Sequence, residues 1–302
     1  MFKNLIGRFK ASNIVGKYLY FNVAVFIFVV LTAVFSLLFN APGASDSLVR
    51  CLELPASPRL IIEQPWSLLT YMFLHADLWH ILWNMIALHV FGKIFLDFFS
   101  TRHFVGFYIL GGLFGALFYV LSFNLFPYFA PFAGYSFLLG ASASVLAIVV
   151  ASAVRSPGYR INLFLFGSVK LSTFALVTVL ISFLMISGNN AGGSFAHLGG
   201  AFAGWLLAHL LGRGIDLTNF VNKPVDWVSA LFKKRPSRTK KKGKFKYSAS
   251  NAGDKRASDY AYNAGKKASE AEIDKILEKI KKGGYASLSD EEKKRLFDAS
   301  NK

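Results

Sequence analysis

The sequence predicts an all-α, polytopic membrane protein: a six-transmembrane-helix bundle followed by a small cytosolic helical hairpin. Three observations carry this. First, 54% of the 302 residues are hydrophobic, 31 of them phenylalanine, and only 17% are charged, whereas a soluble domain is nearer a quarter charged. Second, most of that charge falls in the last quarter of the chain, so the average joins an apolar block reaching about residue 212 to a basic tail. Third, the block holds about six apolar runs, each near the roughly 20 residues needed to span a hydrocarbon core.

Residues 1–17 carry Lys3, Arg8, Lys10 and Lys17 with no acid, and read as a basic cytosolic N-terminus. The apolar run from Tyr18 to Phe39 is too long for a signal-peptide core and reads as a retained first span. A basic amphipathic start is also the pattern of an organellar presequence. Residues 40–77 form the longest loop, where Pro42, Pro55, Pro58 and Pro65 are expected to break regular structure. Further spans are expected at about 78–98, 104–126, 142–155, 171–187 and 194–212, so that 18–212 is the membrane domain. Arg102, Arg155, Arg160, Lys170 and Arg213 would share the side of the N-terminus, while the turns near 127–134 and 188–193 carry no basic residue. This asymmetry places both termini in the cytoplasm and the proline-rich loop outside. The short loops fit a bacterial cytoplasmic membrane.

Beyond the block, residues 213–268 read as a basic linker. From Lys233 to Lys267 it is mostly Lys, Ser, Ala and Gly, too poor in large apolar side chains to bury a core, and is expected to be disordered. Residues 269–302 read as a helical hairpin. Ser269-Glu270-Ala271-Glu272 has capping-box spacing, Ile273, Ile276, Leu277 and Ile280 follow at helical period, and Gly283-Gly284 ends the run. A second box, Ser289 to Glu292, opens a helix ending near Leu296-Phe297. Nothing in the hairpin looks catalytic, and its sequence names no partner. The net charge of +17 is distributed as a positive-inside membrane protein requires, which argues against nucleic acid as a partner. The single cysteine, Cys51, excludes an intramolecular disulfide, gives no metal-site spacing and reads as a small loop residue. No cofactor is implied.

Polar groups at membrane depth are costly and usually functional. His75 precedes the second span, which carries His80 and Asn84 four residues apart on one helical face. His89, nine residues after His80, falls on roughly the opposite face. The fourth span opens with Gly140-Ala141-Ser142-Ala143, and the sixth contains Ala196-His197-Leu198-Gly199-Gly200 with Gly204 beyond. Under the predicted topology His80, Ser142 and His197 reach similar depth near the outer ends of three spans. A serine hydroxyl needs a base within hydrogen-bond reach to become a nucleophile, and histidine suits that task near neutral pH. Gly140 allows a sharp turn into the helix. Ser142 then lies at a helix N-terminus, where N–H groups and the dipole favour an oxyanion. Gly200 and Gly204 lie on the face of His197 and let the fourth and sixth spans approach closely. Singly, a Gly-x-Ser or a Gly-x-x-x-Gly is helix packing, and Ser144 and His89 read as structural. The conjunction carries the argument.

With His-x-x-x-Asn on the second span, Gly-x-Ser at the fourth and Ala-His-x-x-Gly-x-x-x-Gly on the sixth, the chain resembles the rhomboid intramembrane serine proteases over residues 18–212. The resemblance implies a six-helix bundle with a water-filled cavity open to the outer side and a Ser142–His197 dyad without a third acid. It implies oxyanion stabilisation by His80, Asn84 and the Ser142 N–H, with His75 a structural member of the cluster. Substrates would be single-span membrane proteins cut near their outer ends. Three positions depart from the family's habit: Ser67 follows Trp66 where Arg is common, Ala143 follows the serine where Gly is common, and Leu146 stands where an aromatic ring often stacks on the histidine.

Other functions fit less well. A silent relative that binds transmembrane clients is the alternative, although such relatives typically lose the serine or the histidine. Ion-coupled carriers place carboxylates near the midplane, and the only acid within these spans is Asp97, near the inner face. A zinc protease would need a motif like His-Glu-x-x-His, and no histidine here precedes a glutamate.

Overall fold

The computed structural model describes residues 2–163, 167–232, 275–276, 278–281, 283–284 and 287–300. It divides into two units after Lys234.

The first unit opens with α1 (Phe2–Ala11) and α2 (Ile14–Leu38), the latter capped by Asn13, whose side chain accepts from the Gly16 N–H. Only 11% of the apolar window of α2 is buried within the protein. Residues such as Phe21, Ile27, Phe28, Leu31 and Phe35 face outward. An uncovered apolar face of this extent is stable in lipid and not in water. At about 1.5 Å per residue, 25 helical residues reach about 37 Å, enough to cross a hydrocarbon core of about 30 Å. Apolar helices of 21 to 25 residues recur in α6 (Leu78–Phe98), α7 (Thr101–Leu125) and α10 (Ala191–Gly212). Two shorter apolar helices complete the six expected segments: α8 (Ser142–Arg155) and α9 (Leu171–Leu184), the latter prolonged by a 3-10 turn to Ser187. Four of the six are thus long enough to cross a bilayer by themselves. The protein is an integral membrane protein with an all-α bundle.

The arrangement centres on α8, which packs against α6, α7, α9 and α10. Its sequence is mostly Ala, Ser and Val, and Ala143 to Val149 are all buried. Fourteen residues span only about 21 Å, less than a hydrocarbon core of about 30 Å, and the residues flanking its first turn, Gly140, Ala141 and Ala143, are buried in the bundle. Irregular backbone inside a membrane domain is tolerated only where protein covers it. Here the cover is the segment between α2 and α6.

That segment departs from the expectation of a loop broken by prolines. It contains α3 (Pro42–Leu52), α4 (Pro58–Glu63) and α5 (Ser67–Thr70). Pro42 and Pro58 each start a helix, because the first turn has no N–H bond for proline to lose. Cys51 accordingly lies in α3. A two-residue strand β1 (Leu54–Pro55) pairs antiparallel with β2 (Phe137–Leu138), just before Ser142. Three side chains then take up carbonyls at the end of α3: Trp66 Nε1 donates to Cys51 O at 2.7 Å, Thr70 Oγ1 to Leu52 O at 2.6 Å, and Gln64 Nε2 to Glu53 O at 3.3 Å. The segment is anchored by these donors while Ser67 is fully buried. Tyr71 completes the cover, with its O–H donating to Gly112 O at 2.6 Å and its carbonyl accepting from the Gly140 N–H at 2.9 Å. Tyr71→Phe is therefore expected to cost about 1 kcal/mol, the net worth of one buried hydrogen bond. An unchanged thermal unfolding midpoint in detergent would refute this.

At the other end, β3 (Arg160–Leu163) and β4 (Gly167–Lys170) form an antiparallel hairpin between α8 and α9. The expected linker begins later than residue 213. Residues 219–232 form α11 (Asn219–Phe232), which packs on α7: Asn222 Nδ2 donates to Arg102 O at 3.1 Å, and Arg102 pairs with Asp226. The near-absence of large apolar side chains starts only after Phe232, so residues 219–232 still carry enough apolar positions to form a packed helix. The remaining linker, from residue 233, lies outside the described residues.

In the second unit, residues 275–276, 278–281 and 283 are helical, and the Gly284 N–H closes on Ile280 O at 2.8 Å. The box expected at Ser269–Glu272, with Ile273 and Leu277, lies outside the described residues. The second box is formed: Ser289 N–H donates to Glu292 Oε2 at 2.8 Å and Glu292 N–H to Ser289 Oγ at 3.3 Å. It opens α12 (Asp290–Ser300), a turn longer than expected.

Candidate active site

The site forms where α6, α8, α9 and α10 face a common cavity of ≈ 230 Å³, lined by Ser142, His197, Asn84, Trp83, Leu146 and Thr178 among others. Ser142 is the first residue of α8, so the N–H groups around it lack intrahelical acceptors. The chain enters through Gly140 at φ +132°, a conformation L side chains rarely adopt. A Cβ there would also lie 3.0 Å from the His80 ring, so glycine meets both requirements.

His197 projects from the second turn of α10, which is capped by Asn190 Oδ1 accepting from the Gly193 N–H at 3.0 Å. Its Nε2 lies 2.7 Å from Ser142 Oγ. The helices carrying the two side chains touch without intervening bulk. A Cβ on Gly200 would fall 2.1 Å from Ala143 O, and one on Gly204 2.3 Å from Ala147 O. Gly199 is equally tight against Phe114 O of α7, at 2.3 Å.

His80 occupies the first turn of α6, where Asp77 Oδ1 accepts its N–H at 2.9 Å. Its Nδ1 accepts from the Ala76 N–H at 3.3 Å, which leaves the ring proton on Nε2, on the side of Gly140. Asn84 is buried one turn further along the same face. Its Nδ2 donates to His80 O at 2.9 Å, leaving one amide hydrogen. His75 is buried with its ring centroid 5.1 Å from that of His80. Burial, with His80 beside it, lowers its pKa to about 4 and keeps the ring neutral. His89 is exposed on the outer face of α6, away from the cluster. Ser144 is buried and, unlike Ser142, is not among the residues lining the cavity.

One contact has no counterpart in the sequence reading. Ser182, on α9, is buried, with its Oγ 3.2 Å from His197 Nδ1 and 2.9 Å from Thr178 O. The signal for it existed: Thr178 and Ser182 are polar groups four residues apart in an apolar helix, the same cue that singled out His80 and Asn84.

A family model described as the rhomboid domain matches residues 62–214, just over half the chain, and a family of unknown function matches residues 258–302. Among curated proteins, the RHOMBOID-like protein 12, mitochondrial, of Arabidopsis thaliana is 30% identical over 144 residues. That alignment covers 45% of this chain and 43% of the plant protein, so the chain spans less than half of that relative's length.

Proposed function

The chain belongs to the rhomboid family, and on that premise we propose that it is an intramembrane serine endopeptidase acting through a Ser142–His197 dyad. The observation that carries this reading is the 2.7 Å approach of Ser142 Oγ to His197 Nε2 inside a cavity within a membrane-embedded bundle. Ser142 Oγ attacks the scissile carbonyl carbon while its proton passes to His197 Nε2. The tetrahedral oxyanion takes hydrogen bonds from His80 Nε2–H, the free amide hydrogen of Asn84 and backbone N–H groups of the α8 N-terminus. His197 returns the proton to the leaving amine, which leaves an ester on Ser142. A water then attacks that ester with His197 again as base, releasing the acid and restoring the serine. His75 supports His80 by packing. The substrates are single-span membrane proteins, and the mostly apolar cavity between α6 and α9 suits a segment unwinding from lipid. The bias of Arg and Lys supports cytoplasmic termini. The protease unit then comprises the bundle through α10, with the hairpin a separate cytosolic element.

The test is cleavage of a fluorescent single-span substrate in liposomes, with a serine-directed phosphonate as a second readout. Cleavage and phosphonylation of Ser142, located by peptide mass spectrometry, are expected. Labelling at Ser144 would mean the nucleophile is misassigned. A folded protein that cuts nothing across varied substrates would leave a silent, client-binding rhomboid.

A further inference from the structure

We propose that Ser182 is a positioning residue that fixes the tautomer of His197, a role that rests on the dyad reading above. A serine hydroxyl has one proton to give. Ser182 Oγ sits 2.9 Å from Thr178 O one turn back in α9, an acceptor that can only receive. With its proton committed there, the oxygen meets His197 Nδ1 at 3.2 Å as an acceptor. Nδ1 therefore carries the ring hydrogen, and the lone pair of Nε2 faces Ser142 Oγ at 2.7 Å. That is the only neutral tautomer in which His197 can take the serine proton.

The opposite tautomer would turn Nε2–H toward Ser142 and remove the base. In that tautomer Nδ1 would face the Ser182 oxygen lone pair to lone pair, and could keep a hydrogen bond only if the Ser182 proton left Thr178 O. When His197 becomes protonated during the reaction, Nδ1–H keeps its acceptor and nothing needs to reorganise. In Ser-His-Asp triads a buried carboxylate holds the ring in this way. Here a hydroxyl on a neighbouring helix takes that place without burying a second charge. It also answers for Leu146, which is buried at the cavity and offers no aromatic face to hold the ring. The ring is tethered at Nδ1 instead.

Two readouts on the full chain in detergent test this. In nitrogen-15 NMR of histidine-labelled protein, with the His197 signals identified by their loss in His197→Ala, the wild type should show Nδ1 protonated and Nε2 bare. Ser182→Ala should mix the tautomers. In cleavage assays Ser182→Ala should lower kcat about 10- to 100-fold, the scale seen when a metal-bound histidine loses the partner that orients its ring, with KM within about twofold. Ser182→Thr keeps a hydroxyl that can bond the same carbonyl and should restore most of kcat. A wild-type His197 protonated at Nε2 would overturn the proposal, as would a Ser182→Ala enzyme with unchanged kcat. The NMR result needs no turnover. If the wild type cuts nothing, the protease reading fails while the tautomer still decides the role of Ser182, whether or not Ser182→Ala folds.

Discussion

Ser142→Ala and His197→Ala are each expected to lower the rate of substrate cleavage at least about a thousandfold, and the double variant is expected to lose no more than either alone. A thousandfold is about 4 kcal/mol of transition-state stabilisation. It follows from the geometry because neither side chain acts without the other. The hydroxyl becomes a nucleophile only as its proton moves across the 2.7 Å to Nε2, and in forming the ester the imidazole has no other proton to take. Groups acting as one unit show grossly non-additive losses, and removing either member removes the unit. What survives is the contribution of the oxyanion donors, which involves His80, Asn84 and the α8 N-terminus. Single-turnover cleavage in liposomes, with folding checked by circular dichroism, measures all three variants. A His197→Ala enzyme within tenfold of wild type, or losses that multiply in the double variant, would show that the two side chains do not form a dyad.

Much of this site was legible because polar residues are rare in apolar helices. His80, Asn84, Ser142 and His197 stood out against their spans, and the six apolar runs lie within a few residues of the helices observed. Periodicity and burial cost account for both, since each is local or one-dimensional. What was not legible depends on partners. The prolines at 42 and 58 carry the same chemistry whether they break a strand or begin a helix, and only the surrounding fold decides between them. α11 was absorbed into the linker because its apolar residues are spaced along a face and interrupted by Pro224, which composition alone averages away. Ser182 matters through a contact between two helices, to a residue fifteen positions on, which no spacing rule reports. The anchoring of the segment before α6 likewise rests on Gln64, Trp66 and Thr70 reaching carbonyls at the end of α3, a pairing that depends on how the chain folds back.

Gly200→Ala should nearly abolish the proposed cleavage, although the residue carries no chemistry. The added Cβ would lie 2.1 Å from Ala143 O, where an ordinary contact is 3.4 Å or more. The obstacle is backbone, so no side chain can swing aside. Relief needs α10 to move away from α8 by more than about 1 Å, and α10 is already tight against α7 on its other side, where Gly199 meets Phe114 O. Overpacking of this kind costs about 1–3 kcal/mol of stability. The activity loss is larger because of where the clash falls. Gly200 is three residues from His197 and Ala143 adjoins Ser142, so the separation opens the dyad directly. A misplacement of about 1 Å is worth about a hundredfold in rate. Gly212→Ala is the control: it closes the same helix, but its Cβ would meet nothing within 4 Å. It should leave cleavage and the unfolding midpoint unchanged, while Gly200→Ala lowers both. If Gly200→Ala cuts at the wild-type rate, the two helices do not need this close approach to hold serine and histidine together.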